Sequence, residues 1–252
     1  MCCFSRPVQE VSRTSIFARH TRPGWQALVY SMSVRAKEPV AMVLPLPVLP
    51  GSGEGGLRFV DFSAHGELFE QLERLFPKPA AVRSRSIEQD SMAPANVLKV
   101  HTVGSFVASY APTRADMARL DPQFRLPEAA WKALPKAYEK YGYAVFQLRA
   151  GEEKFHPMAM EFQTAVKDTL FFPTAHVHDG KVHESAHFDH TLYCQAPVQP
   201  VGGGETWWKS AGNVETVVEL DKTNGLLGKG VCFKQRLYGN RPNEDTLARA
   251  TA

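Results

Sequence analysis

Residues 15–36 read SIFARHTRPGWQALVYSMSVRA. Ile16, Phe17 and Ala18 lead into His20-Thr21-Arg22-Pro23-Gly24, after which Ala27, Val29, Ser31 and Ser33 alternate with Leu28, Tyr30, Met32 and Val34. A period of two on either side of a Pro-Gly turn predicts two antiparallel strands. Residues 40–48 (VAMVLPLPV) follow at once. They are apolar at successive positions, so they predict a third strand that is covered on both faces and central in its sheet.

Working outward, Leu68, Phe69, Leu72, Leu75 and Phe76 fall at helical spacing before Pro77 and predict an amphipathic helix packed on that sheet. Residues 51–56 (GSGEGG) read as a flexible loop and residues 79–95 as a polar one. Residues 98–110 read as a strand, and residues 113–120 and 127–141 as helices, with Gly142 ending the second by supplying a positive φ. Strands then dominate, at residues 143–148, 157–162, 169–178, 182–194 and 230–238. A loop at Val201-Gly202-Gly203-Gly204 and a short helix around residues 213–220 separate the last two. Elements in blocks rather than strict alternation predict an α+β fold, largely antiparallel sheets with a few packed helices. A single domain is expected over residues 1–239, with residues 240–252 as a polar, frayed tail.

The chain has 252 residues, enough to bury a sizeable core as one domain. Its 29 basic and 26 acidic residues are interspersed, so no stripe exists to neutralise a row of phosphates, and nucleic acid is not expected as a partner. No apolar run approaches the roughly 20 residues of a transmembrane helix. The N-terminus has no apolar core of the signal-peptide kind, so the chain as written is expected in the cytoplasm, with export an option if its start was trimmed. Four cysteines, Cys2, Cys3, Cys194 and Cys232, are too few and too irregular for a disulfide framework.

In order along the chain come Cys2-Cys3, Val43-Leu44-Pro45-Leu46-Pro47-Val48, Leu68 to Leu72 before a proline, Val103-Gly104-Ser105-Phe106, Tyr138 to Phe146, and His156-Pro157-Met158. This series resembles an uncharacterised, mostly exported bacterial family of unknown function, over residues 1–180. The resemblance implies a fold grouping and, because in that family the paired cysteines follow a cleaved signal peptide, the option of export. It implies no chemistry, and the histidines described next are not part of its pattern.

Five of the nine histidines lie in residues 176–190: His176, His178, His183, His187 and His190. Asp179-Gly180 is the pair that a two-residue type I′ turn requires. A hairpin with that tip sets His176 opposite His183 and puts His176, His178 and His183 on one face, with His187 and Asp189 further along it. Opposed β-carbons lie about 5 Å apart, within reach of one ion. The other face carries Ala175, Val177, Val182, Ala186, Phe188 and Leu192 with His190 and Cys194, and is expected to pack on the core. The segment therefore predicts a transition-metal site, possible ligands being His176, His178, His183, His187, His190 and Cys194, with copper or zinc as the ion and Asp179, Glu184 or Asp189 orienting an imidazole or acting on bound water. His101 and His156 read as structural.

A second reading starts at Cys2. Removal of Met1 would leave a thiol beside its own α-amine, the arrangement of N-terminal nucleophile amide hydrolases, with Arg19 as a neighbour. A third is a non-catalytic structural or partner-binding domain. Gly225-Leu-Leu-Gly228-Lys229-Gly230 lacks both the spacing and the hydroxyl of a phosphate loop. Trp207 and Trp208 read as residues at the edge of the core.

Overall fold

The computed structural model describes residues 2–76, 101–103, 106–122, 125–179, 181–200 and 206–250. The two strands read from residues 15–36 are β2 (Glu10–Arg22) and β3 (Trp25–Ala36), paired from Glu10 opposite Arg35 to Arg22 opposite Trp25. Gly24 closes their turn at φ +74°, where a side chain would be strained. The register slips between Ser12 and Ser15 at a bulge in which Arg13 has φ +55°. The Arg13 backbone N–H there donates to Asp189 Oδ2 at 2.6 Å.

This pair lies inside an eight-stranded sheet. Its order is β15 (Trp208–Asn213), β16 (Val231–Pro242), β13 (Ser185–Cys194), β2, β3, β10 (Met158–Gln163) and β5 (Leu57–Val60), with β9 (Gly151–Lys154) also on β3. A six-stranded sheet has the order β12 (His176–Val177), β1 (Cys2–Phe4), β4 (Val40–Leu46), β8 (Gly142–Leu148), β7 (Phe106–Ala111) and β6 (His101–Val103). A third sheet runs β11 (Thr169–Phe172), β17 (Thr246–Ala250), β14 (Val198–Pro200). β2 and β13 run parallel, as do β1 and β12; the remaining pairings among the described residues are antiparallel.

The all-apolar strand has two neighbours, as expected, and every residue of β4 is buried. Val40, Met42, Leu44 and Leu46 share the main core with Leu28, Tyr30, Met160 and Phe162 of the larger sheet, so the two sheets enclose it between them. Each such side chain contributes about 1.5–3 kcal/mol on burial. Ala41 and Val43 point the other way, onto Met117, Leu126 and Tyr143. The outer face of the larger sheet, with Phe17, Ala27 and Val29, is covered by Leu68, Phe69 and Leu72 of α1 (Leu68–Glu73) and by Val214, Val218 and Leu226. α1 is tied down by Glu73, which takes Lys234 Nζ at 3.0 and 3.1 Å and the Tyr193 hydroxyl at 2.7 Å.

Among the described residues sheet outweighs helix, and the two α-helices have six residues each. Residues 127–141 do not form one helix. α2 (Glu128–Ala133) ends because Leu134 precedes Pro135 and is pushed to extended backbone, and a separate 3-10 turn follows at Lys136–Lys140. Gly142 does not cap it; it opens β8, where a Cβ would lie 2.7 Å from the Tyr110 hydroxyl. Residues 113–120 shorten to a 3-10 turn at Ala115–Arg119, and residues 53–56 of the expected flexible loop form another. Residues 213–220 hold the end of a strand, β15, and two 3-10 turns rather than a helix. The described part of 98–110 is a pair, β6 and β7, with Val103 opposite Phe106. Residues 169–178 divide at Pro173 into β11 and β12, which join different sheets. The expected frayed tail is ordered at residues 246–250: β17 sits between β11 and β14 with Ala248 fully buried. The expected loops at 79–95 and 201–204 lie outside the described residues. No helix among the described residues is long and apolar enough to cross a membrane.

Candidate functional site

The histidine segment starts where Pro173 stops β11. Thr174 Oγ1 donates to Glu244 O at 2.9 Å, and Ala175 N donates to Asp245 Oδ1 at 3.0 Å. Asn243 then serves as a substitute strand along β12. Its Oδ1 accepts from His176 N at 2.9 Å, and its Nδ2 donates to His176 O at 2.9 Å and to His183 O at 3.1 Å. The other side of β12 pairs with β1, Cys2 opposite His176 and Cys3 opposite Val177.

The expected hairpin does not form, so His176 does not face His183. Two residues of β12 gain more by joining the edge of a six-stranded sheet than by making an isolated ribbon. Asp179 Oδ1 accepts from Lys181 N at 3.0 Å, which turns the chain through the side chain; Gly180 lies outside the described residues. His183 is exposed, with Nε2 2.9 Å from Asp179 Oδ2. His187 is also exposed and lies edge-on to Tyr238 at 5.7 Å.

The side chains of His176, His178 and His190 do come together. His176 stacks on His178 with centroids 4.6 Å apart and planes 20° apart, and on His190 at 5.6 Å and 14°. The hairpin register had put His190 and His176 on opposite faces; they meet because β12 and β13 belong to different sheets. Phe188 lies against both His176 and His190, and Phe4 meets His178 edge-on at 5.6 Å. On β13, Phe188, His190, Leu192 and Cys194 all face inward as the alternation predicted. Cys194 is four positions from His190, about 13 Å along a strand, and its Sγ points to Ala196 O at 3.8 Å.

Cys2 brings sulfur to the cluster. It is 1% exposed, and its Sγ lies 3.9 Å from His178 Nε2. The Tyr30 hydroxyl, fully buried, lies against Cys2 and Thr14 without a well-formed hydrogen bond. His190 Nδ1 is likewise buried without a partner, 4.0 Å from Asp189 Oδ1. Burial, reinforced by the neighbouring imidazoles, pushes both His178 and His190 down to about 3, and burial also lowers His176. All three are neutral near pH 7. Burial raises the Cys2 thiol, so it is protonated there too. The site holds nitrogen and sulfur lone pairs among Phe4, Tyr30 and Phe188, with His178 half-buried and the Asp189 carboxylate at its edge.

Among the described residues, no three His, Cys, Asp or Glu side chains are already gathered around one point. Stacked imidazoles present their faces to one another, whereas their lone pairs lie in the ring planes. For the nucleophile reading, a reactive thiol needs a lowered pKa, the reverse of what burial does to Cys2. Arg19 packs instead on Gly228 and reaches Gly225 O at 3.4 Å. Met1 lies outside the described residues. Tyr30 was missed as a companion of the histidines because no spacing in a sequence joins residue 30 to residue 176.

No protein-family model matches the chain, and no curated protein matches it. Solved structures do. One of mutated baculovirus P35 after caspase cleavage is 13% identical with a TM-score of 0.48, over 95% of this chain and 100% of that one. The caspase-8/P35 complex gives 11% and 0.47, over 95% and 96%. The crystal structure of baculovirus P35 itself gives 16% identity and a TM-score of 0.50 over 96% of this chain and 97% of that one, so the two are similar in fold from end to end.

Proposed function

We propose that this chain acts by engaging a protein partner, and that the partner is a cysteine protease of the caspase class. The observation that carries the reading is the likeness of fold to baculovirus P35, which spans nearly the full length of both chains. P35 occurs in a solved complex with caspase-8. The sequence adds a compatible feature: Ser86-Ile87-Glu88-Gln89-Asp90-Ser91 offers an aspartate, the residue after which caspases cut. An α+β grouping with sheet dominant is supported by α1 and α2, which each pack on a sheet face. Hydrolysis by Cys2 fits less well, because its thiol is enclosed and protonated.

The test is to incubate the full chain with purified caspase-8 and follow hydrolysis of a fluorogenic tetrapeptide. Inhibition that deepens with time, together with a cut yielding residues 1–90 and 91–252 by mass spectrometry, is the expected result. Asp90→Ala should abolish both. Undiminished protease activity in the presence of excess intact chain would refute the proposal.

A further inference from the structure

Cys2 Sγ, buried, and Nε2 of the half-buried His178 are 3.9 Å apart. Bonds from a first-row ion to thiolate and imidazole are about 2.3 and about 2.0 Å. An ion making both bonds across this gap would have a sulfur–metal–nitrogen angle of about 130°, whereas a tetrahedral ion would draw the two atoms to about 3.5 Å. The wide angle suits an ion of low coordination number. A soft thiolate also favours a soft ion.

From this geometry we infer that Cys2 and His178 form a binding site for Cu(I). The step is Cys2–SH plus Cu(I) giving Cys2–S–Cu(I) and a proton released to solvent, with no change of oxidation state; the lone pair of His178 Nε2 completes the coordination. Tyr30 is the second observation pointing to a ligand here. Its hydroxyl is fully buried, unsatisfied and set against the Cys2 sulfur, where it can donate to the thiolate that the ion stabilises. His176 flanks the site by stacking on His178, and His190 lies beyond it. The ligand set thus joins the first strand to the histidine segment, and the exposed His183 and His187 and the distant Cys194 stay outside it.

The experiment is anaerobic titration of the reduced full chain with Cu(I) in competition with bathocuproine disulfonate. One equivalent should pass from the chelator to the protein, and excess Zn(II) should not displace it. Cys2→Ser and His178→Ala should lose that capacity, Cys194→Ser should keep it, and Tyr30→Phe should weaken it roughly tenfold. Retention of Cu(I) by Cys2→Ser with an unchanged circular dichroism spectrum would overturn the assignment. X-ray absorption of the wild-type Cu(I) protein gives an answer that no folding defect can obscure. One sulfur with one or two nitrogens supports the site, and two or more sulfurs refute it. Neither readout involves a protease, so this inference and the proposed function fail separately.

Discussion

Replacing Asn243 by alanine should free β12 from its outer side. The side chain makes three hydrogen bonds there: one accepted from His176 N, one donated to His176 O and one donated to His183 O. Each is worth about 1 kcal/mol net, and a buried backbone group left unpaired costs about 1–3 kcal/mol. Asn243 is itself only half-buried and His183 is exposed, so water can replace part of what is lost. The expected destabilisation is about 2 kcal/mol. Urea unfolding followed by tryptophan fluorescence should show it as a lower midpoint at unchanged slope. Asn243→Asp keeps the acceptor for His176 N and removes both donors, so it should fall between the two. Because β12 covers one side of β1, Asn243→Ala should also speed the reaction of Cys2 with a thiol reagent under native conditions. A loss below about 0.5 kcal/mol, the scatter of ordinary surface substitutions, with Cys2 no more reactive than before, would refute the view that Asn243 holds this edge.

Acid should weaken the fold before its carboxylates titrate. His178 and His190 have folded values of about 3 against an ordinary 6.5, so between those limits the unfolded chain binds more protons; their contribution is complete above about pH 6.5 and is lost as the pH falls towards 3. Urea midpoints should drop from pH 7 to pH 5, and less so in His190→Phe; equal midpoints at both pH values would contradict the burial of neutral imidazoles. Gly142→Ala places a methyl group 2.7 Å from the Tyr110 hydroxyl and 2.8 Å from its ring, and should cost about 1–3 kcal/mol in thermal or urea unfolding. A neutral result would mean that β7 and β8 can part at that point.

The strands that neighbour one another in sequence were legible because alternation and a turn act locally. Residues 15–36 gave β2 and β3, and the unbroken apolar run gave β4 with a neighbour on each side. Pro135 and Pro173 carry the main corrections: each divides a segment whose hydrophobic pattern alone reads as continuous. The polar residues 240–252 look frayed in isolation, yet β17 gains two neighbours, a tertiary gain that overrides composition. At the histidine segment, the inward face of β13 was readable from its alternation, but the partner of β12 was not. Asp179-Gly180 signals a hairpin on purely local grounds, whereas the competing partner, β1, lies more than 170 residues away and leaves no mark on that dipeptide.

Those long-range parallel pairings bear on how the chain reaches its structure. Cys2 meets His176, Ser15 meets Thr191, and the final strand slots between two others. At about 5–20 residues per second on the ribosome, β1 waits many seconds for its second neighbour, and the small sheet cannot assemble until β17 has been made. Loops of this length also make closure slow. During that interval the Cys2 and Cys3 thiols, later enclosed, remain open to solvent, oxidants and soft ions, so any cargo or modification they acquire is most readily installed before folding ends.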